Sequence, residues 1–337
     1  MSVQENVLLA PLTTLGVGGA ARFFSEAKSV DEVIAALGEA KRRGLGVAVL
    51  GGGSNTLVPD AGVDGFVLRI AIPGIEHVEE RDDALLVVGA GVAWDAVVLE
   101  ASARQLWGIE NLASIPGTAG AAPVQNIGAY GVEFASVFAW AEAVERASGE
   151  VVRISARDAA FGYRESVFKR EDAWVVTRVA LKLSHTGTPN IAYKDLALAR
   201  ERGVSLTTPR EIAEAVRTIR AEKMPAKGIG SAGSFFKNPV ITSEAYAALR
   251  VRFPGLVGFE SSEGVKVPLA WILDHALGMR GFTCGPVRLH EKQPLILTTL
   301  PGATEADIEA CVHEVRARVY EATNIEIERE VETLIAR

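Results

Sequence analysis

Residues 46–58, GVAVLGGGSNTLV, run from a short apolar segment into consecutive glycines and then into Ser54, Asn55 and Thr56. The apolar half has the length of a buried strand, and a strand that ends in glycines presents backbone to its surroundings. Consecutive glycines let neighbouring amide groups point into one concavity, where they and the hydroxyl groups could hold a pyrophosphate without a lysine. The stretch therefore predicts a ligand-binding loop at the end of a buried strand. The alternative is a tight turn that binds no ligand.

The segments around this loop alternate between helix and strand. Ser29 followed by Asp31 and Glu32 predicts a capped helix, because an apolar stripe continues from there to basic residues. GFVLRI and ALLVVGAG have the pattern of strands, and helical periodicity returns in AWDAVVLEASARQLWG. This alternation favours an α+β fold.

The end of a predicted helix near residue 224, followed by a new set of helices and strands, predicts a second domain. Before it, the sequence indicates a hairpin around Ser148 and Gly149, a strand in WVVTRVALKLS, and a helix that starts at a capping box with Thr208 and Glu211. Met224 and Pro225 end that helix. Beyond them the pattern predicts helices over residues 243–253, 268–277 and 304–323, a strand over 294–300, and a final strand over 324–334 that carries four glutamates on one face.

Composition limits the class of protein. The chain has 337 residues, 23% of them charged and 48% hydrophobic, with a formal charge of -7, which argues against a general nucleic-acid or membrane-surface binder. Cys284 and Cys311 cannot support a disulfide framework, no zinc-type cluster or other metal site is indicated, and the N-terminus lacks a leader pattern. These features predict a cytoplasmic globular protein.

Two further glycine-rich stretches, GVGG and SIPGTAGAAPVQNIGAYG, accompany the first, and three such loops in one domain favour a large ligand. No Gly-Lys-Ser/Thr sequence is present, so a P-loop is not predicted. GIGSAG, residues 228–233, matches the dinucleotide fingerprint G-x-G-x-x-G, but Pro239 leaves no room for the helix that should follow. The alternative for GIGSAG is a glycine-rich turn without chemistry.

The stretch FGYRESVFKR, residues 161–170, places Arg164 among aromatic and basic neighbours. A guanidinium there could hold a carboxylate through two parallel hydrogen bonds. A surface arginine packed on an aromatic ring is the competing interpretation.

Six stretches, in this order, resemble the UDP-N-acetylenolpyruvoylglucosamine reductase family: PLTTLGVGG, LGGGSNTLV, SIPGTAGAAPVQNIGAYG, FGYRESVFKR, GSAGSFFKNP and EREVETL. The likeness runs across nearly the whole chain. It implies an α+β protein with an FAD-binding domain of the vanillyl-alcohol-oxidase type, made of two α+β subdomains, and a smaller α+β substrate-binding domain. Residues 1–223 and 324–337 would form the FAD-binding domain, and residues 224–323 the substrate-binding domain.

The resemblance implies an FAD-dependent oxidoreductase of peptidoglycan synthesis. NADPH would reduce FAD, and a hydride would pass from the flavin to the enolpyruvyl methylene of UDP-N-acetylglucosamine enolpyruvate to give UDP-N-acetylmuramate. The partner would be this UDP-linked small molecule, with no nucleic acid, membrane or obligate protein partner expected. The alternative is another flavin oxidase or dehydrogenase of the same superfamily, which would share the glycine loops without needing GSFFKNP.

The resemblance also assigns site residues by matching positions. Those implied to be catalytic are Arg164, Ser234 as proton donor, and Glu330. Those implied to bind FAD are Gly51, Gly52, Gly53, Ser54, Asn55, Thr56, Gly117, Gln125, Gly128 and Arg220. Those implied to bind substrate are Tyr163, Tyr193, Lys223 and Asn238, of which Tyr193 in IAYKDL indicates the subgroup with an extra tyrosine loop.

Overall fold

The computed structural model describes residues 1–79, 83–226 and 228–337. Up to residue 226 the strands are β1 (Gln4–Leu8), β2 (Ala20–Ala27), β3 (Val47–Leu50), β4 (Thr56–Leu57), β5 (Val63–Ile70), β6 (Ile75–Glu79), β7 (Asp83–Gly89), β8 (Gly128–Ala129), β9 (Val132–Glu133), β10 (Phe138–Glu145), β11 (Val151–Ser155) and β12 (Trp174–Ser184). The helices of this part are α1 (Val30–Arg42), α2 (Trp94–Ala103), α3 (Val167–Arg170), α4 (Lys194–Glu201) and α5 (Pro209–Lys223), with short 3₁₀ turns at Ala10–Leu12, Glu110–Leu112 and Phe134–Ser136.

The N-terminal sheet has the strand order β1-β2-β5-β3, in which β2, β5 and β3 are parallel and β1 is antiparallel to β2. Helix α1 connects β2 to β3, and its predicted cap is confirmed because the hydroxyl of Ser29 accepts a hydrogen bond from the backbone amide of Glu32 at 3.2 Å. Strand β3 ends at Leu50. The predicted glycine loop therefore starts directly at the carboxyl end of a buried strand.

The second sheet is antiparallel, with the order β11-β10-β12-β7-β6. The predicted hairpin between β10 and β11 is confirmed, and Gly149 adopts a positive φ of 78° at its turn. The predicted capping box of α5 is also confirmed, because Thr208 and Glu211 each bond the other's backbone amide. Helices α2 and α5 pack on each other, and both contact the 3₁₀ turn Glu110–Leu112.

From residue 228 onward the strands are β13 (Gly230–Ser234), β14 (Val240–Ile241), β15 (Phe259–Ser261), β16 (Gly264–Lys266), β17 (Thr283–Cys284), β18 (Val287–Leu289), β19 (Ile296–Thr299) and β20 (Glu332–Thr333). The helices of this part are α6 (Ser243–Arg252), α7 (Leu269–Trp271) and α8 (Glu305–Thr323). Residues 268–277, predicted as one helix, are helical but not α-helical throughout. The α-helix α7 continues directly into a π-helical turn at Ile272–Ala276. Within the described residues, no helix is long and apolar enough to cross a membrane.

The strand predicted over residues 324–334 is mostly wrong. Ile325 and Ile327 are buried while Glu326 and Glu328 are exposed, as in a strand. In the described residues, however, only Glu332–Thr333 forms a strand, in parallel with β4, and Arg329 makes one isolated bridge with Phe236. Glu330 and Val331 are both buried, which breaks the alternation. The four glutamates therefore do not share one face, since Glu330 turns into the protein where the segment leaves one core for the other.

The described residues form two large apolar cores and a smaller third cluster. The first packs the two N-terminal sheets with helices α1, α2 and α5. The second packs α6 and α8 with β18 and β19, and it also takes in Leu15, Val17 and Leu57 from the N-terminal region. Residues 325–331 contribute to the second core, whereas Leu334 packs against the N-terminal sheet. Near its C-terminus the chain thus passes from the second core to a smaller third cluster on the N-terminal sheet.

Candidate active site

A cavity of about 430 Å³ is lined by residues from the N-terminal part of the chain, from β13 and from the C-terminal segment. All ten positions that the sequence predicts to bind FAD line this cavity, and so do the predicted catalytic residues Arg164, Ser234 and Glu330. These residues come from the glycine loops, from the segment before α3, from β13 and from the C-terminal segment. The fold thus brings them together, while their individual roles remain predictions.

The loop after β3 needs glycines because two other segments approach it closely. A Cβ on Gly52 would lie 2.9 Å from the Cα of Gly117, and a Cβ on Gly53 would lie 2.2 Å from the carbonyl oxygen of Leu12. Within the described part of the chain, the backbone amides of residues 52–55 have no hydrogen-bond acceptor. Four consecutive free amides beside the cavity fit an anionic group of a ligand such as a pyrophosphate.

Asn55 joins the glycine loop to two other walls of the cavity. Its side-chain amide donates to Gln125 Oε1 at 2.8 Å and to the backbone carbonyl of Glu330 at 3.0 Å. The hydroxyl of Ser54 donates to the carbonyl of Pro116 at 3.1 Å, so this side chain holds the neighbouring loop. The polar residues predicted to touch FAD therefore also fix the loops against one another.

The loop of residues 114–118 is held by charged side chains from α2 and α5. Ser114 has a positive φ of 60°, its amide donates to Asp95 Oδ1 at 2.6 Å, and its carbonyl accepts from Arg220 Nε at 3.2 Å. Arg217 holds Asp95 through two hydrogen bonds of 2.9 and 3.3 Å. Asp95 and Arg217 thus fix an unfavourable backbone conformation at Ser114, directly before Ile115, which lines the cavity.

Arg164 and Glu330 form an ion pair in the wall of the cavity. Arg164 Nε lies 2.8 Å from Glu330 Oε1, and both side chains are largely buried. Burial raises the pKa of the Glu330 carboxyl, while the adjoining Arg164 and then Lys169 and Lys237 act to lower it. Arg164 itself has a positive φ of 56°. A non-glycine residue held in this region is typical of functional sites.

Ser234 sits at a distortion of strand β13. The pairing of β13 with β19 shifts register between Ser231 and Ser234, where Gly233 has a φ of +74°. Such a bulge redirects the side chain that follows it. The backbone amide of Glu330 donates to the carbonyl of Phe235 at 2.8 Å, so the serine segment and the glutamate segment are directly connected. GIGSAG is accordingly neither a dinucleotide loop nor a simple turn, because its last four residues lie in this strand.

The four residues predicted to bind substrate lie outside the cavity lining, in two groups. In the first, the hydroxyl of Tyr163 accepts a hydrogen bond from the backbone amide of Asn238 at 3.3 Å. In the second, Lys223 Nζ lies 2.6 Å from Asp195 Oδ2, and the ring of Tyr193 lies 5.1 Å from the ring of Tyr130, edge to face. Their roles remain predictions.

Three basic residues of the cavity lining, Arg146, Lys169 and Arg337, are not among the residues that the sequence predicted for the site. With Arg164 and Arg220 they place five basic side chains in the lining against three acidic ones, although the whole chain carries a charge of -7. Only Lys169 had a sequence signal, since it belongs to the FGYRESVFKR stretch.

The family comparisons agree with this arrangement. A family model described as "FAD binding domain" matches residues 21–155, which include the loop after β3 and the loop of residues 114–118. Together with the α+β fold and the cavity, this match defines the class of protein: an FAD-dependent oxidoreductase with an FAD-binding domain of the vanillyl-alcohol-oxidase type.

A second family model narrows the class. It is described as "UDP-N-acetylenolpyruvoylglucosamine reductase, C-terminal domain" and matches residues 224–334. Proteins with that enzyme name from Pseudomonas putida and Pseudomonas aeruginosa are each 39% identical, over 97% and 98% of this chain and the same shares of their own. The crystal structure of the reductase from Thermus caldophilus is similar with a TM-score of 0.67 and 28% identity over 99% of both chains. The chain belongs to the UDP-N-acetylenolpyruvoylglucosamine reductase family.

We expect Asp95→Ala to weaken FAD binding about 10- to 100-fold, because it removes a charged acceptor from the amide of Ser114 and leaves Arg217 without its partner. Titration of the apoprotein with FAD, followed by flavin fluorescence, measures the change. Glu100→Ala is the matched control, since Glu100 lies on the same helix with nearly the same exposure and pairs with Arg104 away from the loop. Equal affinities of the two variants would show that Asp95 does not support the site.

Proposed function

We propose that this protein reduces UDP-N-acetylglucosamine enolpyruvate to UDP-N-acetylmuramate, with NADPH as reductant and FAD as cofactor. The observation that carries the proposal is the single cavity that places the free amides of residues 52–55 beside Arg164, Ser234 and Glu330. An anion-binding loop suits a dinucleotide cofactor, and the three side chains suit a substrate that carries a carboxylate. Membership of the family supports this function over that of another flavin oxidase.

The residues of the cavity fit FAD. The loop after β3 would hold the pyrophosphate, and Gly117, Gln125, Gly128 and Arg220 would contact the rest of the cofactor. When bound, FAD takes two electrons from NADPH and supplies them to the enolpyruvyl double bond. The chain's own residues must then bind the substrate, stabilise developing charge and deliver a proton.

Arg164 is proposed to bind the substrate carboxylate. Reduction of the enolpyruvyl group places negative charge on the carbon beside that carboxylate, and a guanidinium held against it stabilises the enediolate-like state. One such donor contributes about 3 kcal/mol at the transition state. Glu330, whose pKa burial raises, is proposed to act in its protonated form as a second hydrogen-bond donor.

Ser234 is proposed to donate the proton to the carbon beside the carboxylate. A hydroxyl is a weak acid in water, but a carbanion of this kind is a strong base, so the transfer is feasible when the two groups are in reach. The hydroxyl of Ser234 has no hydrogen-bond partner within the part of the chain that the structure describes, so it is available to a ligand.

The remaining site residues and the domain division belong to the same proposal. Tyr163 and Asn238 would contact the substrate on the side of Arg164, and Tyr193 and Lys223 on the side of Arg220. Residues 224–323 would form the substrate-binding domain, and residues 1–223 with 324–337 the FAD-binding domain. We place the reaction in the cytoplasm, since the free thiols of Cys284 and Cys311 suit a reducing compartment.

We expect Gly233→Ala to slow the substrate-dependent half of the reaction by displacing Ser234. Its positive φ makes alanine unfavourable by about 1 kcal/mol, although a Cβ there would touch nothing within 4 Å. Gly228→Ala is the matched control, because Gly228 also has a positive φ and free space but does not line the cavity. Urea unfolding should show similar losses of stability in the two variants. Stopped-flow kinetics should show a slower substrate step for Gly233→Ala only. Equal rates of the substrate step in the two variants would show that Gly233 does not position Ser234 for the reaction.

The function is tested by the visible spectrum and by NADPH consumption. Purified protein should show the bands of bound flavin, and NADPH should be consumed only when enolpyruvyl-UDP-N-acetylglucosamine is added, without matching uptake of oxygen. Oxygen uptake with an alcohol substrate would favour a flavin oxidase instead. Yellow, folded protein without turnover would point to a flavin-binding protein that is not an enzyme.

A further inference from the structure

Two ion pairs connect the segment of Arg164 to the C-terminal segment. The first is the pair of Arg164 and Glu330, with 2.8 Å between Nε and Oε1. The second joins Lys169 to Glu332, with 2.8 Å between Nζ and Oε1. Because each partner of the second pair follows a partner of the first closely along the chain, the two pairs join the same two segments twice.

Lys169 also contacts the backbone of Arg164 directly. Its amine lies 3.4 Å from the carbonyl oxygen of Arg164, which is the residue with the positive φ of 56°. A left-handed conformation of a non-glycine residue persists only when its surroundings fix it. Lys169 supplies one of these restraints, and the backbone bridge between Gly162 and Glu165 supplies another.

Lys169 differs from an ordinary surface lysine in its burial and its place. Its side chain is 15% exposed and lines the cavity, whereas the side chain of the neighbouring Arg170 is 46% exposed and does not line it. Exposed ion pairs contribute little to stability. The pair of Lys169 and Glu332 is shielded only at the lysine, since the side chain of Glu332 is 59% exposed, so we expect it to act on the position of Lys169 more than on stability. The backbone of Glu332 is held in turn, because its amide donates to the backbone carbonyl of Asn55 in the glycine loop at 3.1 Å.

We propose that Lys169 is a positioning residue: through the carbonyl of Arg164 and the carboxylate of Glu332 it holds the Arg164–Glu330 pair in the geometry that the substrate requires. This inference rests on the proposed function. It predicts that Lys169 influences the step in which substrate reacts more than it influences folding or the binding of FAD.

The protonation of Glu330 makes the pH dependence of activity a measure of its surroundings. A purely structural role of Lys169 would leave that pH dependence unchanged. The charged groups that face its carboxyl are Arg164, Lys169 and Lys237, and Tyr163 is also close. Burial raises the pKa of Glu330 and the three cations lower it. If Glu330 acts while protonated, activity falls as pH rises through this pKa. Removal of Lys169 raises the pKa, so the fall in activity moves to higher pH.

The test compares Lys169→Met, Lys169→Arg and Arg170→Gln as holoenzymes. For Lys169→Met we expect flavin reduction by NADPH near the wild-type rate, reoxidation by the enolpyruvyl substrate slower by on the order of 10- to 100-fold, and an alkaline limb at higher pH. Lys169→Arg should return the fall in activity at high pH to its wild-type position and restore part of the reoxidation rate. Arg170→Gln should match wild type, and FAD content and urea midpoints verify that the variants are folded.

Each result decides the inference. Wild-type protein that is not reoxidised by the substrate would overturn the proposed function and this inference with it. Wild-type reoxidation with an unchanged rate and pH profile in Lys169→Met would overturn the inference alone. If Lys169→Met loses FAD or unfolds, Glu332→Gln takes its place, since it removes the outer anchor and keeps the lysine. A slower substrate step with normal reduction by NADPH then supports the inference, and a wild-type rate overturns it.

Discussion

Ser234→Ala should slow reoxidation of the reduced flavin by the enolpyruvyl substrate by about 10²- to 10⁴-fold, the contribution of a well-placed general acid. Reduction of FAD by NADPH should stay normal, because that half of the reaction needs no proton from the serine. Removal of one hydroxyl that has no hydrogen-bond partner in the described residues should also leave folding intact. Stopped-flow absorbance of the flavin measures the two halves separately.

Ser234→Cys is the control for this variant, since a thiol keeps an acidic proton at the same position. It should retain part of the rate that Ser234→Ala loses. If both half-reactions of Ser234→Ala proceed at the wild-type rate, Ser234 is not the proton donor. If reduction by NADPH slows as well, the serine acts on the placement of the flavin instead.

Arg164→Ala should lower turnover by about 10²- to 10³-fold while the protein retains FAD. Loss of the guanidinium removes about 3 kcal/mol of transition-state stabilisation, a factor of about 10² to 10³ in rate. It also leaves the buried carboxyl of Glu330 without its cation, which raises its pKa further. Turnover with NADPH, together with the flavin absorbance of the purified variant, measures both parts of the prediction.

Arg164→Lys separates charge from geometry. A lysine keeps the positive charge but cannot form two parallel hydrogen bonds with a carboxylate, so we expect activity between those of wild type and Arg164→Ala. A colourless Arg164→Ala variant would assign Arg164 to the cofactor. Normal turnover in that variant would show that the arginine does not bind the substrate carboxylate.

The parts of the fold that are determined locally could be predicted from the sequence. Ser29 and Thr208 start helices because each hydroxyl can accept an amide hydrogen bond within its own turn. The hairpin at Gly149 is fixed by a turn that needs a positive φ. In each case the deciding contacts lie a few residues apart, where sequence patterns have their greatest force.

The failures occur where distant contacts decide. The alternation of Ile325, Glu326 and Ile327 predicted a strand, but the segment passes between two cores and pairs with β4 only at its end. The same passage buries Glu330, which periodicity alone had placed with its exposed neighbours. Residues 230–234 form a strand rather than a turn because β19, more than sixty residues later, provides the pairing edge.

The candidate site was predictable mainly through the family resemblance. The resemblance identified thirteen residues that line one cavity, and twelve of them, all but Arg220, lie in the six motifs. Long motifs in a fixed order encode contacts that no local pattern contains. What they could not show is how the residues are held. The pairs of Asp95 with Arg217 and of Lys169 with Glu332 each join residues that are more than a hundred positions apart, so only the folded chain reveals them.

The central claim is that this chain transfers electrons from NADPH to an enolpyruvyl substrate at the site of Arg164, Ser234 and Glu330. Its most direct test is anaerobic stopped-flow mixing of NADPH-reduced enzyme with UDP-N-acetylglucosamine enolpyruvate. We expect the oxidised flavin bands to return and one UDP-N-acetylmuramate to form for each FAD. Flavin that stays reduced until oxygen is admitted would contradict the account.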